Sequence, residues 1–424
     1  MRNGPIVLIL TLVALLARAE DVDSRQNFKD TTTRLHGVTT LLPMGQGGLM
    51  TVGGSSLRVL PRGAKAFVSL HRQPGDNLYR VAANDAGGVL AAWEKDPSIH
   101  LFTAAPKRHL KLAKPPPPSE DLNRYQVDHL AFLPDGRNAL VMMAGDRKGP
   151  GQVPVYVVYR LALDGSSPPE LLYRVDAARK LDVSVERAVF LMFRKPQQSC
   201  DTNTCPVDEI VVFEHAASGV TRKSLFDGRA QECGLATKVW GSKDAPLVLQ
   251  LRLARNQRAL LRWQPGQEKA DLHPLPKGGS WEPELYLMPK GDVVRVEAVA
   301  NNVLTVHRFA GDGSEQVITV PTMRPVSPYT YDPQVHDIGT RQDGRLWIHW
   351  GDDLLLFSAD LSKPPRAYDL EPLLTRRATW AGVDVYLADP ELLWVGIELG
   401  AGRDFVRLSF ADMEKRSKTW AVRD

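Results

Sequence analysis

The sequence predicts an all-β protein, a single β-propeller of about eight four-stranded blades behind an N-terminal signal peptide; seven blades, with an extra N-terminal strand completing the last, is the alternative count. Long helical periodicity is nearly absent from the 424 residues. Runs of β-branched, leucine and aromatic residues alternate instead with turns containing Gly, Asp or Pro. One hairpin text returns at a mean spacing of about 49 residues, the scale of a propeller blade.

The chain opens with Arg2, an apolar stretch from Ile6 to Ala17, and Ala17-Arg18-Ala19. A positive start, an apolar centre and a small-x-small end are the marks of a secretory signal peptide, with residues 1–19 removed and 20–424 forming one propeller domain. Spanning a bilayer takes roughly 20 apolar residues, more than this run offers, and no later run is long enough, so no stable membrane insertion is expected. The protein is read as exported, to periplasm or medium, and as a monomer.

The hairpins follow in order. Val38 to Leu42 turns at Gly45-Gln46-Gly47-Gly48 into Leu49 to Val52, and Tyr79 to Ala82 turns at Asp85-Ala86-Gly87-Gly88. Leu130 to Leu133 turns at Pro134-Asp135-Gly136 into Ala139 to Met143. Weaker copies lie near Asp182 to Ala188 and Val239 to Pro246. Glu284 to Met288 turns at Pro289-Lys290-Gly291-Asp292, Val335 to Ile338 leads to Asp343-Gly344, and Val383 to Leu387 turns at Asp389-Pro390. Further strand-like runs complete each blade: Ser56 to Leu60 with Ala66 to Leu70, Asp353 to Phe357 with Ala359 to Leu361, and, for the last, Phe405 to Phe410 with Lys418 to Val422. A blade has a neighbour on each face, so both faces are apolar and no blade buries its core alone. The proline tract Pro115 to Pro118 falls between adjacent copies and is the one candidate boundary.

Phe132-Leu133-Pro134-Asp135-Gly136-Arg137 resembles the blade element of TolB-like and WD40-like propellers, and Asp343-Gly344-Arg345-Leu346-Trp347-Ile348 is similar to that of sensor-type propellers. The resemblance implies the propeller fold and no particular activity. The WD dipeptide series, the kelch spacing and a sialidase Asp-box are absent.

The formal charge of +4 falls by two without Arg2 and Arg18, and the remaining cations are scattered among acids, which leaves no field for nucleic acid. Of three cysteines, Cys200 and Cys205 bracket the polar loop 201–204 and are the expected disulfide, with Cys233 left over. Pairing of Cys233 with either of the others stays open. H-E-x-x-H, G-x-S-x-G, the P-loop and C-x-x-C are all missing, so no metal and no cofactor is expected. Asp201 and Asn203 do not make a calcium loop, because Cys205 and Pro206 stand where a ligand and the turn glycine belong.

Six or seven places before the turns, where a propeller's first strands meet, stand Tyr79, Asp128 with His129, Trp281 with Glu282, and His336 with Asp337; Trp380 lies somewhat further upstream of its turn. Aromatic faces for stacking beside acids and imidazoles for directed hydrogen bonds form a candidate ligand site at the channel mouth. Such residues also serve simply to pack against the next blade. Two functions fit: an exported binding or scaffold protein for a protein, peptide or glycan partner, or a hydrolase or lyase acting on a polysaccharide or small ester through converging carboxylates or a His-centred metal.

Overall fold

In the computed structural model, residues 25–28 and, between 40 and 419, the strands with the closest of their turns are described. The stretches 29–39, 194–206, 228–234, 241–245, 275–283, 322–334 and 370–382 are among those outside the description.

The fold is that of a β-propeller with eight blades, each built on four antiparallel strands. Within blades 1 to 7 (40–72, 78–113, 122–176, 178–227, 235–274, 284–321 and 335–369) the strands neighbour one another in chain order. Blades 2 to 6 form one compact unit, and blades 7, 8 and 1 form another. Among the described residues no helix is long and apolar enough to cross a membrane.

The second strand of each blade explains the repeat's composition. Val89–Trp93 and Leu346–Trp350 are buried along their whole length. A strand covered on both faces has no solvent side, so the usual polar/apolar alternation is replaced by a continuous apolar run. In blade 3, Val141 and Met143 join the core shared with blade 2, which contains Leu90, Ile99 and Leu101. Leu140 and Met142 join the core shared with blade 4, which contains Ala188, Phe190 and Val211. Trp93, Trp263, Trp347 and Trp350 are all core residues.

The turn that carries the blade resemblance is held by its own side chain. Asp135 Oδ1 accepts from Arg137 N at 2.8 Å and Asn138 N at 2.9 Å, and Gly136 takes a φ of 64°, which glycine adopts without strain. The proline tract is docked, since Tyr159 Oη donates to the Pro116 carbonyl at 3.0 Å.

Three local expectations are corrected. Blade 8 supplies only three of its own strands, Val383–Asp389, Leu392–Leu399 and Gly402–Ser409; its fourth is Arg25–Phe28, with Arg25 opposite Val406 and Phe28 opposite Arg403. Both ends of the chain thus meet in one sheet, while the count remains eight. Lys418–Thr419 does not complete blade 8 but adds a fifth strand to blade 7, pairing with Arg366–Asp369. It gets there through a short helix, Phe410–Arg416, which buries Phe410 and Met413 and is fastened by an Arg345–Glu414 ion pair. Finally, residues 359–361 form a turn, and the fourth strand of blade 7 is Arg366–Asp369.

Gly339 lies opposite Trp347 in blade 7. A Cβ there would stand 2.4 Å from Trp347 Cζ2, inside any van der Waals contact, and the indole is buried. Gly339→Ala should therefore cost about 1–3 kcal/mol through overpacking, read as a lower midpoint in urea at unchanged slope. An unchanged midpoint would mean that the indole can move aside freely.

Candidate functional site

The first strand of a blade carries a register shift at a recurring place. In blade 2 the pairing with the second strand skips Tyr79, and in blade 3 it skips Asp128. In blades 4, 5 and 7 it skips Leu181, Thr237 and His336. A residue without a partner across the ladder bends its strand, raises the local twist and re-aims the side chains beside it. Such bulges are concentrated next to functional sites. Tyr79, Asp128 and His336 recur in the sequence because they occupy one structural position.

The side chains of these first strands are described in blades 2, 3 and 4. Tyr79 Oη accepts from Val127 N at 3.0 Å, which ties the first strand of blade 2 to that of blade 3. Burial pushes the Tyr79 hydroxyl up to about 12, so it stays protonated. Arg80, next along, reaches the same neighbour. Its Nε donates to the Asp128 carbonyl at 2.6 Å, Nη1 to the Tyr79 carbonyl at 2.9 Å, and Nη2 to Asp128 Oδ1 at 3.4 Å. Its guanidinium also lies 5.5 Å from the centre of the Tyr79 ring, within reach of a cation–π contact. From blade 4, Lys180 Nζ donates to Asp128 Oδ2.

One carboxylate is thus held between cations of the two flanking blades. The Asp128 side chain is 15% exposed, Arg80 40% and Lys180 27%. Beside them, His129 is held down to about 4, by burial first and then by the Lys180 charge, against the pull of Asp128. Its imidazole is neutral at pH 7. The Lys180 N–H bonds the Tyr156 hydroxyl, whose pKa is raised by burial. Asp182, two places on, has its carboxyl raised by burial, with Arg187 opposing.

Tyr79, Asp128 and His129 are therefore brought together. His336 and Asp337 lie on the first strand of blade 7, Val335–Thr340, and their side chains are outside the described residues. So are Trp281, Glu282, Trp380, Cys200, Cys205 and Cys233. Among the described residues, no group of three or more His, Cys, Asp or Glu could hold a metal ion. Arg80, Lys180 and Tyr156 escaped the sequence reading, which looked for acids, imidazoles and aromatics. The available signal was a cation one place after the bulged residue in blade 2 and one place before it in blade 4.

No family model and no curated protein matches the chain. Solved structures similar to it include YCF48 from Cyanidioschyzon merolae, at 11% identity over 90% of this chain and 98% of that one, with a TM-score of 0.43. A structure of YCF48 bound to D1 peptide is similar at 11% identity over 90% of this chain and 96% of that one, with a TM-score of 0.41. The WD40 domain of SCAP from fission yeast is similar at 11% identity over 91% of this chain and 98% of that one, with a TM-score of 0.43. An inactive virginiamycin B lyase from Staphylococcus aureus, with quinupristin, is similar at 14% identity over 78% and 95% of the two chains, with a TM-score of 0.37.

Proposed function

We propose that this chain is an exported, non-catalytic binding protein that takes an acidic segment of a protein or peptide partner at the first strands of blades 2, 3 and 4. The observation that carries this reading is the Arg80–Asp128–Lys180 ladder, half-buried and shared by those blades. Within the ladder two cations share the one carboxylate of Asp128, the Asp182 carboxyl near Lys180 has its pKa raised by burial, and the adjacent imidazole is neutral. A guanidinium has five N–H donors and an ammonium three, so both retain donors after the bonds to Asp128 and the Tyr79 carbonyl. A partner carboxylate would complete them with charge-assisted bonds, over the flat face of Tyr79.

The hydrolase reading draws less support. Paired-carboxylate chemistry needs one protonated and one free carboxyl, whereas Asp128 is occupied by cations on both oxygens. A His129 imidazole held down to about 4 is a weak base at neutral pH, and no Ser or Cys hydrogen bond to it is present among the described residues.

With acidic peptides on an array as probes, Arg80→Met and Lys180→Met should each weaken binding at least tenfold, and wild-type affinity should fall as salt rises, since the pairs are partly exposed. Equal affinity in wild type and both variants, with folding intact, would remove this site from the function. Export is tested apart from binding: the intact mass of secreted material should lack residues 1–19, and a retained Met1 would refute it.

A further inference from the structure

Arg80 and Lys180 meet the same carboxylate but are held in different ways. The Arg80 guanidinium is placed by backbone: Nε donates to the Asp128 carbonyl at 2.6 Å and Nη1 to the Tyr79 carbonyl at 2.9 Å. The Tyr79 ring adds a face at 5.5 Å. Its bond to the Asp128 carboxylate is the long one, 3.4 Å, so the guanidinium would keep its place without it. Lys180 has no such frame. Among the described residues, its Nζ hydrogen-bonds the Asp128 carboxylate alone, through Oδ2. Asp182, two places on, feels the charge of Arg187 more than that of Lys180.

An ammonium on a flexible four-carbon stem exchanges one oxygen for another without moving the backbone. The Lys180 side chain is 27% exposed and that of Asp128 15%, so neither partner is sealed from solvent. Asp128 itself is fixed, because it occupies the bulge at which pairing with the second strand skips a residue. A carboxylate fixed there does to the cations what a partner's carboxylate would do. It accepts their bonds, and it repels a second anion.

We propose that Asp128 is an internal competitor for the partner: its carboxylate holds Lys180 in the free protein and yields the ammonium to the partner's carboxylate on binding. The inference rests on the reading that this site takes an acidic segment. Arg80, kept by backbone carbonyls, is the fixed half of the site, and Lys180 is the exchangeable half. Binding then replaces one lysine–carboxylate pair by another, so that pair adds only the difference between the two, and Asp128 sets the affinity below what the two cations alone would give.

The probe is a fluorescent hexaglutamate peptide, with hexaglutamine as its neutral counterpart, titrated by anisotropy into the full-length mature protein at pH 7 and low ionic strength. Asp128→Asn keeps the shape and removes the charge, and should bind hexaglutamate about fivefold more tightly than wild type, with a steeper loss of affinity as salt rises. A residue that merely positioned the two cations would weaken binding when changed, so the sign of the effect separates the two roles. Arg222→Met, at an exposed arginine of blade 4 paired with Glu209, should bind as wild type does. If Asp128→Asn does not fold with both cations left unbalanced, the double variant Arg80→Met with Asp128→Asn has one cation and no carboxylate in the ladder. It should bind more tightly than Arg80→Met alone, because Lys180 is then released to the peptide. Wild type that binds hexaglutamate in preference to hexaglutamine, with equal or weaker binding after Asp128→Asn in either background, overturns the inference and leaves the acidic-segment reading standing. No preference for hexaglutamate in wild type or in Asp128→Asn overturns both.

Discussion

Phe190→Ala should remove about 3–5 kcal/mol of stability, with a cooperative unfolding transition at a lower denaturant midpoint. Phe190 stands on the second strand of blade 4 and is wholly buried. It belongs to the cluster that joins blade 4 to Leu140, Met142 and Val158 of blade 3. Its ring meets Tyr156 at 5.4 Å and Phe213 edge-on at 5.8 Å, so truncation forfeits aromatic geometry as well as buried area. The cavity would be bounded by sheets whose ladders fix their spacing, which limits collapse and places the cost toward the upper end. A loss under about 1 kcal/mol would show that the two blades close over the gap, and that the layer between them is less rigid than its packing implies.

The sequence carried the repeat clearly because it is written in the most buried text. First and second strands are local and apolar, and most of their turns carry Gly, Asp or Pro, so the eight hairpins were visible, those of blades 4 and 5 more weakly. Outer strands are not marked in this way. Arg366–Asp369, reading Arg-Ala-Tyr-Asp, was missed, while the apolar Leu361 invited a strand and instead sits in a turn with a φ of 54°. That leucine is buried for packing, not for pairing. The fourth strand of blade 8 comes from the far end of the chain, and a pairing of such sequence separation has no local signature to read. The candidate site divides in the same way. The place of Tyr79 and Asp128 was legible as a recurrence before each turn, since the bulge returns with the blade. The partners of Asp128 were not, because Arg80 and Lys180 reach it from the two flanking blades, and which cation meets which acid is decided by the packing of blades.

Acidification should destabilise the protein through His129 between pH 6.5 and 4. In the unfolded chain the imidazole titrates at its ordinary value of 6.5, and in the folded protein at about 4. Between those limits the unfolded state binds the extra proton, so stability is complete above 6.5 and falls as pH descends. The penalty reaches its full size, about 3 kcal/mol, below pH 4. Other carboxylates titrate in the same range, so the measurement is a comparison of two proteins. His129→Gln cannot take up the proton, and the stability lost by wild type between pH 7 and 4.5 should exceed that lost by the variant by most of that figure. Burial is the larger cause of the shift and the Lys180 charge the second. In Lys180→Met the imidazole should therefore titrate somewhat higher but still below its ordinary value, as read from its ring proton resonances against pH. Parallel stability curves for wild type and His129→Gln would show that water reaches the imidazole. The pocket beside Asp128 would then be open to solvent, and the neutral imidazole that leaves the Arg80–Asp128–Lys180 ladder with one surplus cation would have to be given up in favour of a doubly charged site below pH 6.5.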